Sequence, residues 1–201
     1  MKTLLLTGFE PFLNFSENPT MTIVENLNEI ELAGYKVVGK ILPVDYEKSG
    51  DAIIKLIEEL KPDAVVSLGL AGGRNQLTPE RIAMNCNESD QPDNAGNTPR
   101  GERIHTDGPD GIFSTLPIQQ MVDRLHEAGY PAKISNSAGT YLCNHVMYRA
   151  LYYFQQNNQQ VPTGFIHIPA SHQLAVEHGR IPSWSQVDLQ EAVKLCLACM
   201  K

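Results

Sequence analysis

Short runs that are apolar at almost every position alternate along this chain with longer segments whose apolar residues recur every three or four places. The alternation limits the fold more than any other feature. A strand that is apolar on both faces must be covered on both faces, and helical crossovers between parallel strands supply that cover. The runs Lys2–Thr7, Val37–Val44, Ala64–Leu70, Ala132–Ser135 and Phe165–Ile168 predict strands. Asn18-Pro19 predicts a helix start, with Asn as the cap and Pro at the first position, and Ile23, Leu27 and Ile30 on one side. Ile53, Leu56, Ile57 and Leu60 predict an amphipathic helix stopped by Pro62. Ile118, Met121, Val122 and Leu125 predict another, with Gly129 just past its end. Met147, Ala150, Leu151 and Phe154 mark a fourth, and Ala192, Leu195, Cys196 and Cys199 the last. The pattern predicts an α/β chain: a three-layer α/β/α sandwich around a mostly parallel twisted sheet, in one domain over residues 1–201. In such sheets ligand sites lie at the carboxyl ends of the strands. Gly8-Phe9, the Gly69–Gly73 turn and the loop before Cys143 all fall in that layer.

Charge and cysteine usage exclude several classes. The net charge of −7 leaves no basic stripe to neutralise phosphates, so a nucleic-acid partner is not expected. No apolar run approaches membrane-spanning length, and the Met1–Leu6 start is too short for a signal peptide. Four cysteines without framework spacing predict thiols kept reduced in a cytoplasm. Cys196 and Cys199 form a CxxC, but on an apolar helical stripe, which indicates core packing; no second CxxC or histidine pair accompanies it as a metal site would need. Gly72-Gly73-Arg74 is a glycine turn without the Lys-Ser/Thr pair of a phosphate cradle. No metal or organic cofactor is expected. From Asn85 to about Ser114 the chain is polar, rich in Asn, Asp, Gly and Pro, and without periodicity, as in a lid, a binding loop or a disordered segment.

The candidate chemistry centres on Cys143. The run Ser137-Ala138-Gly139-Thr140-Tyr141-Leu142-Cys143 leads a small-residue loop into a helix and puts the cysteine in its first turn. Free amide N–H groups and the helix dipole favour a thiolate at such a position. A base is then needed. His145, two residues on, faces roughly the opposite side of that helix. His167 ends a buried-type strand within Gly164-Phe165-Ile166-His167-Ile168-Pro169, in the layer where the cysteine helix starts. Taken singly, Cys143 reads more often as a small core residue, and His167 as a hydrogen-bonded structural one.

The motifs together are more specific. Thr7-Gly8-Phe9-Glu10-Pro11-Phe12 with Asn18-Pro19, Gly69-Leu70-Ala71-Gly72-Gly73-Arg74, Pro79-Glu80-Arg81-Ile82-Ala83-Met84-Asn85, Pro92-Asp93-Asn94, Ser135–Asn144 and Gly164–Pro169 occur in order. In these the chain resembles, over nearly its whole length, the cysteine-type pyroglutamyl peptidases (pyrrolidone-carboxylate peptidases). The resemblance implies removal of an N-terminal pyroglutamyl residue from peptides through a thioester. It implies Cys143 as nucleophile, His167 as base and acid, and Glu80 as the carboxylate that orients His167. Without it, Glu80 reads as an exposed residue at a strand start. The resemblance also implies a pocket for the flat, uncharged lactam walled by Phe9 and Phe12, with Asn18, Leu70, Tyr141 and Leu142 nearby, and a homotetrameric assembly. Core packing is the simpler role for Phe9 and Phe12, but their place after Gly8 at a strand's carboxyl end favours the pocket.

Two positions depart from the family. Asp90 stands where relatives carry an arginine associated with the oxyanion, and Leu70 where many carry glutamine. Two other readings stay open at this point. One is a different cysteine amidase or glutamine amidotransferase, against which the missing Gly-x-Cys-x-Gly elbow counts. The other is a binding protein that captures pyroglutamyl ends with little turnover, which Asp90 alone favours.

Overall fold

A computed structural model describes residues 1–13 and 15–200. The chain runs through β1 (Lys2–Phe9), α1 (Pro19–Leu27), β2 (Glu31–Leu32), β3 (Tyr35–Leu42), α2 (Tyr46–Leu60), β4 (Ala64–Leu70) and β5 (Thr78–Pro79). It continues through β6 (Ile82–Met84), β7 (Asn87–Glu88), β8 (Arg100–Glu102), β9 (Gly111–Phe113), α3 (Ile118–Glu127) and α4 (Leu142–Gln156). It closes with β10 (Thr163–Ile168), β11 (Ala170–Ser171), α5 (His172–His178), β12 (Ser183–Trp184) and α6 (Gln186–Leu197).

The main sheet has the order β2-β3-β1-β4-β10-β5. β3, β1, β4 and β10 are parallel neighbours; the short edge strands β2 and β5 run antiparallel. Side-chain alternation then sorts the core into two layers. Leu4 and Leu6 of β1, Val66 and Leu68 of β4, and Ile166 and Ile168 of β10 pack with Ile23 and Leu27 of α1, Met121 and Leu125 of α3, and Leu189 and Val193 of α6. Leu5, Val65 and Phe165, of the opposite parity, pack with Ile53 and Ile57 of α2 and with Val146, Ala150 and Phe154 of α4. Sheet between two helix layers is the three-layer architecture expected. No helix among the described residues is long and apolar enough to cross a membrane.

The chain places β3 on one side of β1 and β4 on the other, so the order reverses between β1 and β4. A crevice opens outside the strand ends at such a reversal. Phe9 and Leu70 are the last residues of those two strands.

Local capping follows the sequence closely. Asn18 Oδ1 accepts from Thr20 N–H at 3.1 Å and starts α1. Asp45 caps α2 by accepting from Glu47 and Lys48 N–H, and Lys61 ends it at a φ of 46° just before Pro62. Four expectations need correction. Ile30 lies beyond the end of α1 and is 39% exposed, because Asn28 already turns the chain toward β2. The run Ala132–Ser135 forms no strand: it makes only single bridges, Leu77 to Ala132 and Glu80 to Ser135, on either side of the two-residue β5. Cys199 lies past the end of α6, although it still packs, partly buried, against the core in which Cys196 sits, as expected of both.

The polar stretch from Asn85 is the fourth. It is built rather than structureless, from two short ribbons, β6 with β9 and β7 with β8. Its periodicity is missing because side chains, not an apolar stripe, hold it. Asn85 Nδ2 donates to His105 O and Gly108 O, at 2.8 and 3.2 Å. The buried Asp93 carboxylate accepts from Tyr46, Ala95 and Asn97 N–H and from Asn97 Nδ2, all within 3.0 Å.

Candidate active site

His167 pairs in register with Gly69 across the parallel β10–β4 ladder. In-register neighbours project to the same face, and here that is the face covered by α2 and α4. A Cβ added at Gly69 would stand 2.9 Å from Cys143 Sγ and 2.7 Å from Cε1 and Cζ of Phe165. The sulfur therefore rests against the bare backbone of Gly69, beside the strand that carries His167. Glycine at this position makes room for the thiol, a role the sequence reading did not assign.

The start of α4 is fastened below that point. Asn144, fully buried, accepts from Met84 N–H at 2.7 Å and donates to Met84 O at 2.8 Å and Cys86 O at 3.1 Å. Tyr141 is the N-cap and supplies no capping side chain. The first-turn amides, Cys143 N–H among them, therefore lack that usual partner.

His167 donates from Nδ1 to Glu80 Oε1 at 2.7 Å. Glu80 is fully buried, which corrects its reading as an exposed residue. Its main chain is pinned between strands: Glu80 N–H donates to Phe165 O at 2.9 Å and Ser135 N–H to Pro79 O at 3.0 Å. Oε1 also accepts from Arg74 Nη1 at 2.6 Å. The other oxygen, Oε2, makes no hydrogen bond. Ser135 favours the ionised carboxylate, although its Oγ donates here to Ser137 O.

The titration directions agree with one resting state. Burial opposes the charge of Glu80, yet His167, Ser135 and Arg74 together hold its carboxyl below the ordinary value. Burial pushes His167 down, against the pull of Glu80. Glu80 is thus ionised and His167 neutral near pH 7. Because Nδ1 carries the proton, Nε2 presents its lone pair.

Cys143 departs from the sequence expectation. Burial, and after it the negative charge of Glu80, push the thiol up to about 12, against the lowering effect of Arg74 and of its own backbone N–H. The helix terminus favours a thiolate but does not outweigh burial beside a carboxylate. A nucleophilic sulfur at neutral pH must therefore be made by proton removal during the reaction.

Next to the sulfur is a narrow cleft lined by Phe9, Phe12, Asn18, Val44, Leu70, Tyr141, Leu142 and Cys143. The fold thus brings together all six residues read as pocket candidates and adds Val44. That residue was assigned to the end of a strand, but β3 stops at Leu42 and frees it. Phe12 lies 6.2 Å from Tyr141 between ring centroids, across the cleft. Asn18 is largely spent on structure: Oδ1 accepts from Thr20 N and Oγ1, and Nδ2 donates to Glu10 O. The Pro92-Asp93-Asn94 segment ties the walls together. Tyr141 OH donates to Pro92 O at 3.0 Å, Asn94 N–H to Val44 O at 2.9 Å, and Asn94 Nδ2 to Pro11 O at 2.9 Å.

Asp90 does not line the cleft. Its carboxylate is 92% exposed and accepts from Arg100 Nη1 at 3.0 Å. His145 also stands apart: it is buried, with Nδ1 3.0 Å from Asn87 Oδ1. The remaining histidines sit elsewhere, His126 on Ala132 O, His172 on Ser183, His178 against Phe15 and His105 against Tyr152. No group of three or more metal-ligating side chains is found among the described residues.

Known proteins share this arrangement of sequence and fold. A family model described as pyroglutamyl peptidase matches residues 1–200. The pyrrolidone-carboxylate peptidase of Oceanobacillus iheyensis is 54% identical over 200 residues, covering 100% of each chain. That of Lysinibacillus sphaericus is 53% identical over 197 residues, covering 98% of this chain and 96% of its own. Among solved structures, the pyrrolidone carboxyl peptidase of Thermococcus litoralis superposes with a TM-score of 0.95 at 36% identity, covering 99% of this chain and 93% of that one. A mutant of the Pyrococcus furiosus enzyme gives 0.95 at 40% identity, covering 98% and 97%. With a family match over essentially the full length and the same fold at such identities, the chain belongs to the pyroglutamyl peptidases, cysteine-type hydrolases that remove an N-terminal pyroglutamyl residue.

Proposed function

We propose that Cys143 is the nucleophile of this hydrolysis, His167 its general base and acid, and Glu80 the group that fixes His167. The carrying observation is the 2.7 Å Glu80–His167 bond on the sheet face against which Cys143 Sγ rests. His167 takes the thiol proton at Nε2 as sulfur attacks the pyroglutamyl carbonyl carbon. Glu80 stabilises the imidazolium that forms. The Cys143 backbone N–H, at a helix start with no capping side chain, donates to the developing oxyanion. The tetrahedral intermediate collapses, the C–N bond breaks, and His167 protonates the leaving amine. Water, deprotonated by His167, then cleaves the thioester and releases pyroglutamate.

Phe9, Phe12, Val44, Leu70 and Leu142 wall the lactam's methylenes, with Asn18 and Tyr141 at the rim. Pyroglutamate carries no free amine, so a mainly apolar pocket without a carboxylate anchor suits it. Leu70 serves as a wall and offers no side-chain hydrogen bond. Asp90 leaves oxyanion stabilisation to the helix start, since it points to solvent and is paired with Arg100.

On the family resemblance we further infer a homotetramer acting on pyroglutamylated peptides, built from one catalytic domain over residues 1–201. Cytoplasmic location is inferred from Cys86, Cys143 and Cys196, all thiols here.

Hydrolysis of a fluorogenic L-pyroglutamyl amide under reducing conditions tests the assignment. Prolyl and glutaminyl amides serve as controls. Turnover of the pyroglutamyl compound alone, abolished in Cys143→Ala and reduced by at least about 10³-fold in His167→Ala, is expected. An active Cys143→Ala protein would refute it.

A further inference from the structure

We propose that Arg74 is a positioning residue of the reaction, which holds Glu80 ionised and His167 in place through two separate arms; the inference rests on the catalytic roles proposed above. The first arm is direct: Arg74 Nη1 donates at 2.6 Å to the same Glu80 oxygen, Oε1, that receives the His167 Nδ1 proton at 2.7 Å. The second runs through the main chain. Arg74 Nη1 also donates to Thr78 Oγ1 at 2.5 Å, and Thr78 Oγ1 reaches His167 O at 3.5 Å. Thr78 is moreover the sheet partner of His167 on the β5 edge.

The turn after β4 places the arginine for this. Ala71 N–H donates to Ile168 O, and Arg74 N–H returns to Ala71 O, both at 2.9 Å. Gly72 and Gly73 form the bend, so the Gly-Gly-Arg run, which carries no phosphate-cradle chemistry, has a use here. The guanidinium is partly exposed while Glu80 is fully buried.

Charge balance shows why a cation is needed. With His167 neutral, Glu80 is a buried anion, and a buried carboxylate without a countercharge would take up a proton or leave its site. Arg74 neutralises it before the reaction begins. When the thiol proton moves to His167, the cluster passes from thiol, imidazole, carboxylate and guanidinium to thiolate, imidazolium, carboxylate and guanidinium. The net charge stays at zero, so the transfer needs no new countercharge. The 2.6 and 2.7 Å bonds that meet at Oε1 keep Arg74 Nη1 within about 5.3 Å of His167 Nδ1. At that range it disfavours imidazolium and favours thiolate, and so moves both titrations to lower pH. Nη1 alone fixes one Glu80 oxygen and one Thr78 hydroxyl at once, from a planar guanidinium that is pre-organised, whereas a lysine ammonium sits on a flexible stem of different length and holds the two partners less well.

The test is the pH profile of kcat/KM for Arg74→Gln and Arg74→Lys, with Cys143→Ala measured alongside. In Arg74→Gln the acid limb is expected to move up by about one pH unit, so the loss of activity relative to wild type grows as pH falls, reaching about tenfold more than on the plateau once pH is well below the wild-type limb. Arg74→Lys keeps the charge: its acid limb stays near wild type while kcat falls and KM changes little. An acid limb unmoved in Arg74→Gln overturns the proposal, as does a Lys variant displaced as far as the Gln variant. Should Arg74→Gln not fold, Arg74→Lys carries the test, and wild-type kcat there overturns the positioning role. A silent Cys143→Ala with an unmoved limb in Arg74→Gln removes only the role of Arg74. Activity in Cys143→Ala removes the nucleophile assignment itself.

Discussion

Gly69→Ala adds one methyl group at the point where the thiol meets the sheet. The strand backbone there accepts alanine, so any effect comes from space. The new carbon would lie 2.9 Å from Cys143 Sγ and 2.7 Å from two ring atoms of Phe165. Ordinary contacts begin at 3.4 Å, so sulfur must retreat by about 0.5 Å and the ring by about 0.7 Å. Phe165 is fully buried between Phe9 and His167, with centroids 6.3 and 4.9 Å away, and has little room to turn. Most of the adjustment falls on Cys143 and on the start of α4. Overpacking of this kind costs about 1–3 kcal/mol, a Tm loss of roughly 2–10 °C in a chain of this size. Misplacing a reacting atom by up to an ångström costs on the order of 100-fold in rate. We expect kcat to fall by about that factor, with KM changed far less because the lactam walls are untouched. Thermal unfolding and steady-state kinetics on the pyroglutamyl amide measure both. A Gly69→Ala enzyme with wild-type kcat would refute the placement of the sulfur against Gly69.

Two further outcomes follow from the same structure. His145 is pushed down to about 4 by burial, with the Arg149 charge adding to this, from 6.5 in the unfolded chain. Between those values the unfolded chain binds the proton and the folded one does not, so stability falls as pH drops from about 6.5 toward 4. The loss amounts to about 3 kcal/mol at most. Urea unfolding of wild type and His145→Gln across that range should show a shallower pH dependence in the variant; identical slopes would exclude His145 as the source. For the exposed Asp90–Arg100 pair, Asp90→Ala and Arg100→Ala should each leave kcat/KM within about twofold and stability within about 1 kcal/mol. A large gain in kcat for Asp90→Ala would mean that its charge does reach the oxyanion.

The layers of the fold were legible because burial on two faces leaves a direct mark: Ala64–Leu70 is apolar or small throughout and is a fully buried strand. Ala132–Ser135, which carries Lys133, meets the segment around β5 only at two isolated bridges and forms no ladder with it. Composition reports that a run is buried, not whether a partner strand is in reach. The same limit hid the site's acid. Glu80 looks polar and exposed in sequence, and the groups that keep it ionised when buried are His167 and Ser135, distant in the chain, and Arg74, six residues before it. Only the family resemblance pointed to it. Cys143 shows the converse. Its helix position was readable, but its titration is set mainly by burial and then by Glu80, which outweigh Arg74 and the local effect of its own backbone N–H. Gly69 and Val44 were missed because their roles are space and wall, which carry no chemical signature. In the 85–114 stretch the Asn and Asp residues taken as signs of a loop are the groups that hold it.

The most direct measurement is intact-mass and peptide-mapping mass spectrometry of enzyme quenched in acid during turnover of a pyroglutamyl ester. The proposed mechanism predicts a mass increase of one pyroglutamyl group, mapped to Cys143, and no increase in Cys143→Ala. An adduct on Cys86, Cys196 or Cys199, or full turnover by the Cys143→Ala enzyme, would contradict it.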